Sequence, residues 1–355
     1  MRPSVILSAS ILIVSLCLII DAHECAEGAV MKKWKMAILG TGTIAGTMAR
    51  TIAEMENVER YAVASRSMEK AERFAQEHGF AKAYGSYEEL ARDEEVELVY
   101  IATPHSEHFE NARLCILNKK PVLCEKAFTA NAKQAEELLM LAEKEGVFIT
   151  EAMWVRYMPM LETIRQELDS GIIGEPAFLT ANLGYVIHQA ERLQKPELAG
   201  GALLDVGVYP LNFALMIFGH GIDRISSTCT YTATRVDEQN SMTLIYEDGK
   251  VAQLNSSMLA LSDRRGTIYG SRGFMVIENI NNFESLTVYD LDHQEVKRIE
   301  RPKQISGYEY EVEACFKALS EGRTECEEMP HEETIRVMKM MDGLRAEWGI
   351  RYPFE

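Results

Sequence analysis

Short, continuous apolar runs separated by amphipathic stretches fill the chain from about Lys35 to Glu151. KMAILG (35–40), RYAVAS (60–65), LVYIAT (98–103), PVLCEK (121–126) and VFITEA (147–152) are apolar throughout and rich in β-branched residues. That pattern marks strands buried on both faces of a parallel sheet. The intervening stretches have helical periodicity and helix-end signals: SMEKAERFAQEHG stops at Gly79, and Ser86 and Glu89 in SYEELARD have capping-box spacing. Alternating strand and helix predict a doubly wound parallel sheet over residues 31–152.

From about Met153 the period changes to two. SMTLIYEDGKVAQLNSSM (241–258) is two alternating runs joined at Asp248-Gly249, a hairpin signal. GTIYGSRGFMVIEN (266–279) and SLTVYDLDHQEVKRIE (285–300) continue the meander. Helices are expected around 156–171 and 205–218 before the hairpin, and around 308–321 and 331–347 after the meander. The expected fold class is therefore α/β. A second α/β domain, 153–355, carries a large, mostly antiparallel sheet and the C-terminal helices.

A chain of 355 residues suits two cores better than one. Its 37 basic and 54 acidic residues give a formal charge of -17, which opposes nucleic acid and anionic lipid as partners. Seven cysteines, scattered and never spaced as CxxC, suggest no disulfide framework and a reducing, cytoplasmic location. Residues 1–30 form a leader that complicates this location. VILSASILIVSLCLII (5–20) has the outline of a signal-peptide core, which leaves export or anchoring open, while Met31 opens a complete domain by itself.

AILGTGTIAGTMAR (37–50) places Gly40, Gly42 and Ala45 as G-x-G-x-x-A between a strand and a helix. The glycines let the backbone approach a pyrophosphate, which the helix start at Thr43 and Ile44 binds through free N–H groups. A strand ending near position 65 supplies the confirming context. It ends in Ser65 and Arg66, with Lys70 one turn on, where an NAD site carries an acid. A hydroxyl and a guanidinium suit a 2'-phosphate, so NADP is favoured and NAD remains possible. The loop Thr103-Pro104-His105, with His108, is expected beside the nicotinamide or as an ordinary helix start. Its H-x-x-H spacing fits no zinc pattern, and no metal is expected.

Glu125 and Lys126 end a parallel strand, where open α/β sheets bind ligands. Trp154 and Arg156 follow the last strand of the first domain. In GGALLDVGVYPLNF (200–213), Asp205 and Tyr209 are four apart and share a helix face. A buried acid needs a cation, and Lys126 is the candidate.

These motifs, in this order from about residue 34 to the C-terminal YPFE, resemble the Gfo/Idh/MocA family of NAD(P)-dependent oxidoreductases, in particular its dihydrodiol and D-xylose dehydrogenase branch. The resemblance implies a Rossmann domain followed by a substrate domain, with Lys126, Asp205 and Tyr209 in the active site. It also implies that Trp154 and Arg156 border the substrate and nicotinamide pocket. The substrate it implies is a cyclic polyol, sugar or dihydrodiol. One departure is Ala127 where the family's Glu-Lys-Pro has proline, which leaves the turn that aims the lysine less constrained.

The expected chemistry is hydride transfer with Tyr209 as acid/base, Lys126 polarising it and Asp205 positioning both. Lowering a phenol by about three pKa units takes roughly 4 kcal/mol. One ammonium about 4 Å away supplies that at an effective dielectric near 20. Competing readings are an NADPH-dependent aldose or anhydro-sugar reductase and a non-catalytic NADP-binding regulator. A homodimer through the C-terminal sheet is expected, because an uncovered antiparallel face would expose apolar area.

Overall fold

The computed structural model describes residues 32–355, so the expectations for the leader lie outside the described residues. The first sheet is fully parallel, in the order β3-β2-β1-β4-β5-β6. Its strands are β1 (Trp34–Leu39), β2 (Val58–Ala64), β3 (Lys82–Tyr84), β4 (Leu98–Ile101), β5 (Val122–Glu125) and β6 (Ile149–Ala152). β4, β5 and β6 are buried at every position, as strands covered on both faces must be. β3 escaped the sequence reading because three residues, none of them buried, carry no pattern.

The predicted runs overshoot the strands at their C-terminal ends. Ala102 and Thr103 after β4 and Lys126 after β5 leave the sheet, and those residues line the cleft described below. The helix ends follow local chemistry. Ser67 accepts from the Lys70 N–H and Ser86 from the Glu89 N–H, while Gly79 closes the Met68–His78 helix at φ +70°.

The second sheet has eight strands in the order β14-β13-β12-β11-β7-β10-β9-β8, comprising β7 (Pro176–Gly184), β8 (Ile222–Tyr231), β9 (Asp237–Tyr246), β10 (Val251–Ser257), β11 (Gly266–Gly270), β12 (Gly273–Glu278), β13 (Ser285–Asp290) and β14 (Glu295–Glu300). Only the β7/β10 pair is parallel. The predicted hairpin is β9–β10, and Gly249 takes φ +87° in its turn. Leu179, Leu254, Ile268 and Met275 are buried on one face of the sheet, where β7 and β10 pack against the helix Val208–Phe218. That helix is buried continuously from Val208 to Met216, which explains why it is apolar all round rather than on one stripe. Phe213 packs on Phe283 and fills the space beside Gly266; truncating it to alanine would cost roughly 3–5 kcal/mol.

The C-terminal helices, Glu309–Ser320 and His331–Glu347, return to the first sheet, and the second of them also meets β8, where the Ser227 hydroxyl donates to Glu347 at 2.7 Å. Phe316 stacks on Trp34 at 4.8 Å, the Ile149 N–H of β6 donates to the Thr324 carbonyl, and the Ala132 N–H donates to Asp342. Trp34–Glu355 forms one compact unit.

Candidate active site

A cavity of about 620 Å³ opens at the C-terminal ends of β1, β4 and β5. This is the point where strand order reverses in a doubly wound sheet. One end is backbone. Gly40 takes φ +114°, and a Cβ there would lie 2.6 Å from the Ala102 carbonyl oxygen, so the loop after β1 can touch the loop after β4 only as glycine. Gly42 starts the helix Thr43–Ala53 without a side-chain cap, and a Cβ on it would enter open space. The first-turn N–H groups at Thr43 and Ile44 border the cavity, while Ala45 is fully buried beneath them. A concave, uncapped helix start with room beside it fits a pyrophosphate.

The other end is made of side chains. Lys126 Nζ donates to the Asp205 carbonyl at 2.7 Å and lies 3.5 Å from Asp205 Oδ1. The same Oδ1 receives Arg192 Nη1 at 2.9 Å. The Lys126 ammonium sits 5.2 Å from the Tyr209 ring centroid, and the Tyr209 hydroxyl accepts from Trp154 Nε1 at 3.1 Å. Trp154 in turn stacks on Tyr308 at 4.1 Å with planes 7° apart. Asp205 lies in a π-turn, Leu203–Gly207, that runs into the helix carrying Tyr209, and both residues reach the cavity as their spacing predicts. The turn after β5 carries a cis Lys126–Ala127 peptide.

Electrostatics divides the buried acids of this region. Burial pushes Asp205 up, but Lys126 and Arg192 outweigh it and hold the carboxyl below the ordinary aspartate range. Glu125 has no such surplus: burial raises it, with Lys126 and a hydrogen bond from the Tyr100 hydroxyl only partly opposing. Tyr209 is raised well above a free phenol by burial and by neighbouring Tyr308 and Glu125. This corrects the expected direction. The lysine's closest contacts are to Asp205, and the phenol sits in a buried site, so the polarisation assumed for a free ammonium is not realised. His105, pushed down to about 3 by burial, is a neutral ring that can donate from Nδ1 to the Ala199 carbonyl at 3.1 Å.

Two more expectations are corrected. Arg156 does not border the cavity: it is buried against Asn212 at 2.7 Å and Glu333, and guanidinium and carboxylate neutralise each other inside the fold. His108 is not in the cavity lining either: its two ring nitrogens lie 2.9 Å from the Ala127 carbonyl oxygen and 2.8 Å from that of Thr103, and the neutral ring that burial favours has one N–H to donate to one of them. Thr103 and Pro104 do line the cavity. Trp154 acts behind Tyr209 rather than in the lining. Ser65 is buried at the end of β2, while Arg66 and Lys70 are exposed beside it, outside the cavity lining. Arg192, Tyr185 and Tyr308 line the cavity and were missed; the one usable signal was the need of Asp205 for cations.

Residues 34–153 match the oxidoreductase family with an NAD-binding Rossmann fold, Gfo/Idh/MocA, and residues 161–276 match that family's C-terminal domain. The trans-1,2-dihydrobenzene-1,2-diol dehydrogenase of Xenopus tropicalis is 33% identical over 327 residues, covering 90% of this chain and 99% of that protein. The Homo sapiens enzyme of the same name is 30% identical over 327 residues, covering 90% and 98%. A 3-ketoreductase from Actinomadura kijaniata, solved with NADP and TDP-benzene, superposes with a TM-score of 0.80 at 24% identity, covering 89% of this chain and 98% of its own. An aldose-aldose oxidoreductase from Caulobacter crescentus, complexed with glycerol, gives 0.81 at 19% identity, covering 90% and 98%. Likeness to these two structures establishes shared fold.

Proposed function

The chain belongs to the Gfo/Idh/MocA family of NAD-binding oxidoreductases, and from that premise we propose that it interconverts a hydroxyl and a carbonyl on a cyclic polyol, sugar or dihydrodiol, using NADP. The observation that carries this reading is a single cavity with a phosphate-accepting helix start at one end and Lys126, Asp205 and Tyr209 at the other. The names of the relatives, dihydrodiol dehydrogenases, support the substrate class. Arg66 and Lys70 beside Ser65 support the choice of NADP over NAD.

The nicotinamide, when bound, supplies or accepts the hydride. The chain's own residues handle the proton and the charge. Tyr209, with its oxygen already accepting from Trp154, is a neutral phenol whose proton is free to point into the cavity. In reduction it gives that proton to the substrate oxygen as charge develops there. In oxidation the proton returns by the same path. Lys126 stabilises charge on that oxygen, and Asp205 fixes its ammonium through two contacts. Gly42, Thr43 and Ile44 would hold the diphosphate, and Thr103 and Pro104 would wall the nicotinamide side.

The test is an absorbance assay of NADPH and NADP turnover against aldoses, cyclic ketones, polyols and dihydrodiols. Turnover of at least one polyhydroxy substrate is expected, and inertness across the panel with intact NADPH binding would make the chain a binding protein.

The assembly and location proposed for it are a homodimer in the cytosol. A cross-strand aromatic row, Phe178, Tyr269, Phe274 and Tyr289, lies on the uncovered face of the second sheet. The five cysteines among the described residues are free thiols, which suits a reducing compartment. Light scattering of wild type and Phe274→Lys tests the dimer.

A further inference from the structure

Arg192 has no part in the chemistry above, yet it is held as firmly as the groups that do. It sits on the short 3-10 turn Glu191–Gln194, whose Leu193 is fully buried. The Gly201 N–H donates to the Leu193 carbonyl, and the Gly200 N–H to the Lys195 carbonyl. A Cβ at Gly200 would lie 2.6 Å from the Leu193 oxygen and 2.8 Å from the Arg192 oxygen. The two glycines thus let this turn dock against the segment that leads into Asp205. Docking delivers the guanidinium to Asp205 Oδ1, while 45% of the Arg192 side chain stays exposed along the cavity.

Two cations therefore converge on one carboxylate oxygen: Lys126, which lies beside Tyr209, and Arg192, and both line the cavity. One guanidinium nitrogen is engaged with Asp205, and a guanidinium has five N–H donors in a planar fork. A substrate oxygen at the reacting carbon would meet Tyr209 and Lys126, which leaves the remaining Arg192 donors for an oxygen on the adjacent carbon. We propose that Arg192 is a specificity-determining residue that binds the oxygen on the carbon next to the reacting one, so that vicinal diols and α-hydroxy carbonyls are preferred over isolated alcohols and ketones. The inference rests on the oxidoreductase reading above and names the substrate feature that the same site selects.

The experiment compares kcat/KM for NADPH-dependent reduction of 2-hydroxycyclohexanone and cyclohexanone by wild type, Arg192→Ala and Arg192→Lys. Wild type should prefer the hydroxyketone. Arg192→Ala should lower the ratio of kcat/KM for the hydroxyketone over cyclohexanone about 10- to 100-fold, the scale of a hydrogen bond from a charged donor, beyond any loss the two ketones share through Asp205, with NADPH binding, read by fluorescence, retained. Arg192→Lys keeps a cation for Asp205 but not the fork, and should fall between the two. Equal losses on both ketones would show that Arg192 acts only by holding Asp205, and unchanged selectivity would show that it reads nothing; either overturns the proposal alone. A wild-type enzyme that binds NADPH yet reduces neither these ketones nor any substrate of the wider panel overturns the oxidoreductase reading and this proposal with it.

Discussion

The two ends of the cleft are built by different means. At the cofactor end a contiguous stretch, Gly40 to Ala45, makes the site from its own backbone, and the side chains matter chiefly where they are missing. At the reaction end Lys126, Trp154, Arg192 and the Asp205/Tyr209 pair come from four separate places in the chain, and each is aimed by a partner. A backbone site is fixed once the local fold forms. A side-chain site depends on every contact that orients it, so the two ends should fail separately.

The largest separation comes from removing the proton-handling groups. Tyr209→Phe and Lys126→Ala should each lower turnover by about two to four orders of magnitude, with NADPH affinity, followed by fluorescence, close to wild type. Loss of NADPH binding in both would show that the ends are one site.

Breaking the backbone end is the converse. Gly40→Ala puts a Cβ 2.6 Å from the Ala102 oxygen at φ +114°, so the loops must part. NADPH affinity should drop at least about tenfold, with roughly 1–3 kcal/mol lost in chemical denaturation. Turnover at saturating NADPH should suffer less than in the lysine or tyrosine variants. A smaller effect tests which cofactor this end takes: Arg66→Ala should weaken NADPH by about 3- to 10-fold at moderate salt, an exposed charge-assisted contact, and leave NADH unchanged. Equal binding of NADPH and NADH by wild type would remove the 2'-phosphate from the account.

The same difference in construction governs what could be read beforehand. The phosphate loop was legible because its whole geometry is local: strand, two glycines, helix. Asp205 and Tyr209 were legible as a pair because four residues is one helical turn, and Lys126 followed from the cost of burying an acid alone. Arg192 was not legible, since nothing in its own neighbourhood marks it; only the docking of its turn on Gly200–Gly201 brings it to Asp205. Arg156 was misread for the complementary reason, because Glu333, the carboxylate that takes it out of the cleft, lies 177 residues away. The direction of the Tyr209 shift was misread because one ammonium had to serve two neighbours, and burial decided the balance.

The smallest effect isolates what a cation does for a buried acid at the reaction end. Asp237 approaches the same π-turn as Asp205 from below: its Oδ2 accepts from the Leu203 N–H at 2.7 Å and from Asn240 Nδ2 at 2.8 Å. It is as buried as Asp205 but has hydrogen-bond donors where Asp205 has two charged partners, and burial pushes it up to about 6 from 3.8. A carboxyl raised in the fold keeps its proton after the unfolded chain has lost one. The native state then binds more protons between about pH 4 and pH 6, and stability falls as pH rises through that window. From pH 5 to pH 7.5 the loss attributable to this one group is about 1 kcal/mol. Asp237→Asn keeps an oxygen for the Leu203 N–H and removes the titration. In urea unfolding at the two pH values, wild type should lose about 1 kcal/mol relative to the variant on going to pH 7.5. A gap that stays constant with pH would mean that Asp237 ionises near its ordinary value, and that neutral donors suffice at this end where Asp205 was thought to need cations.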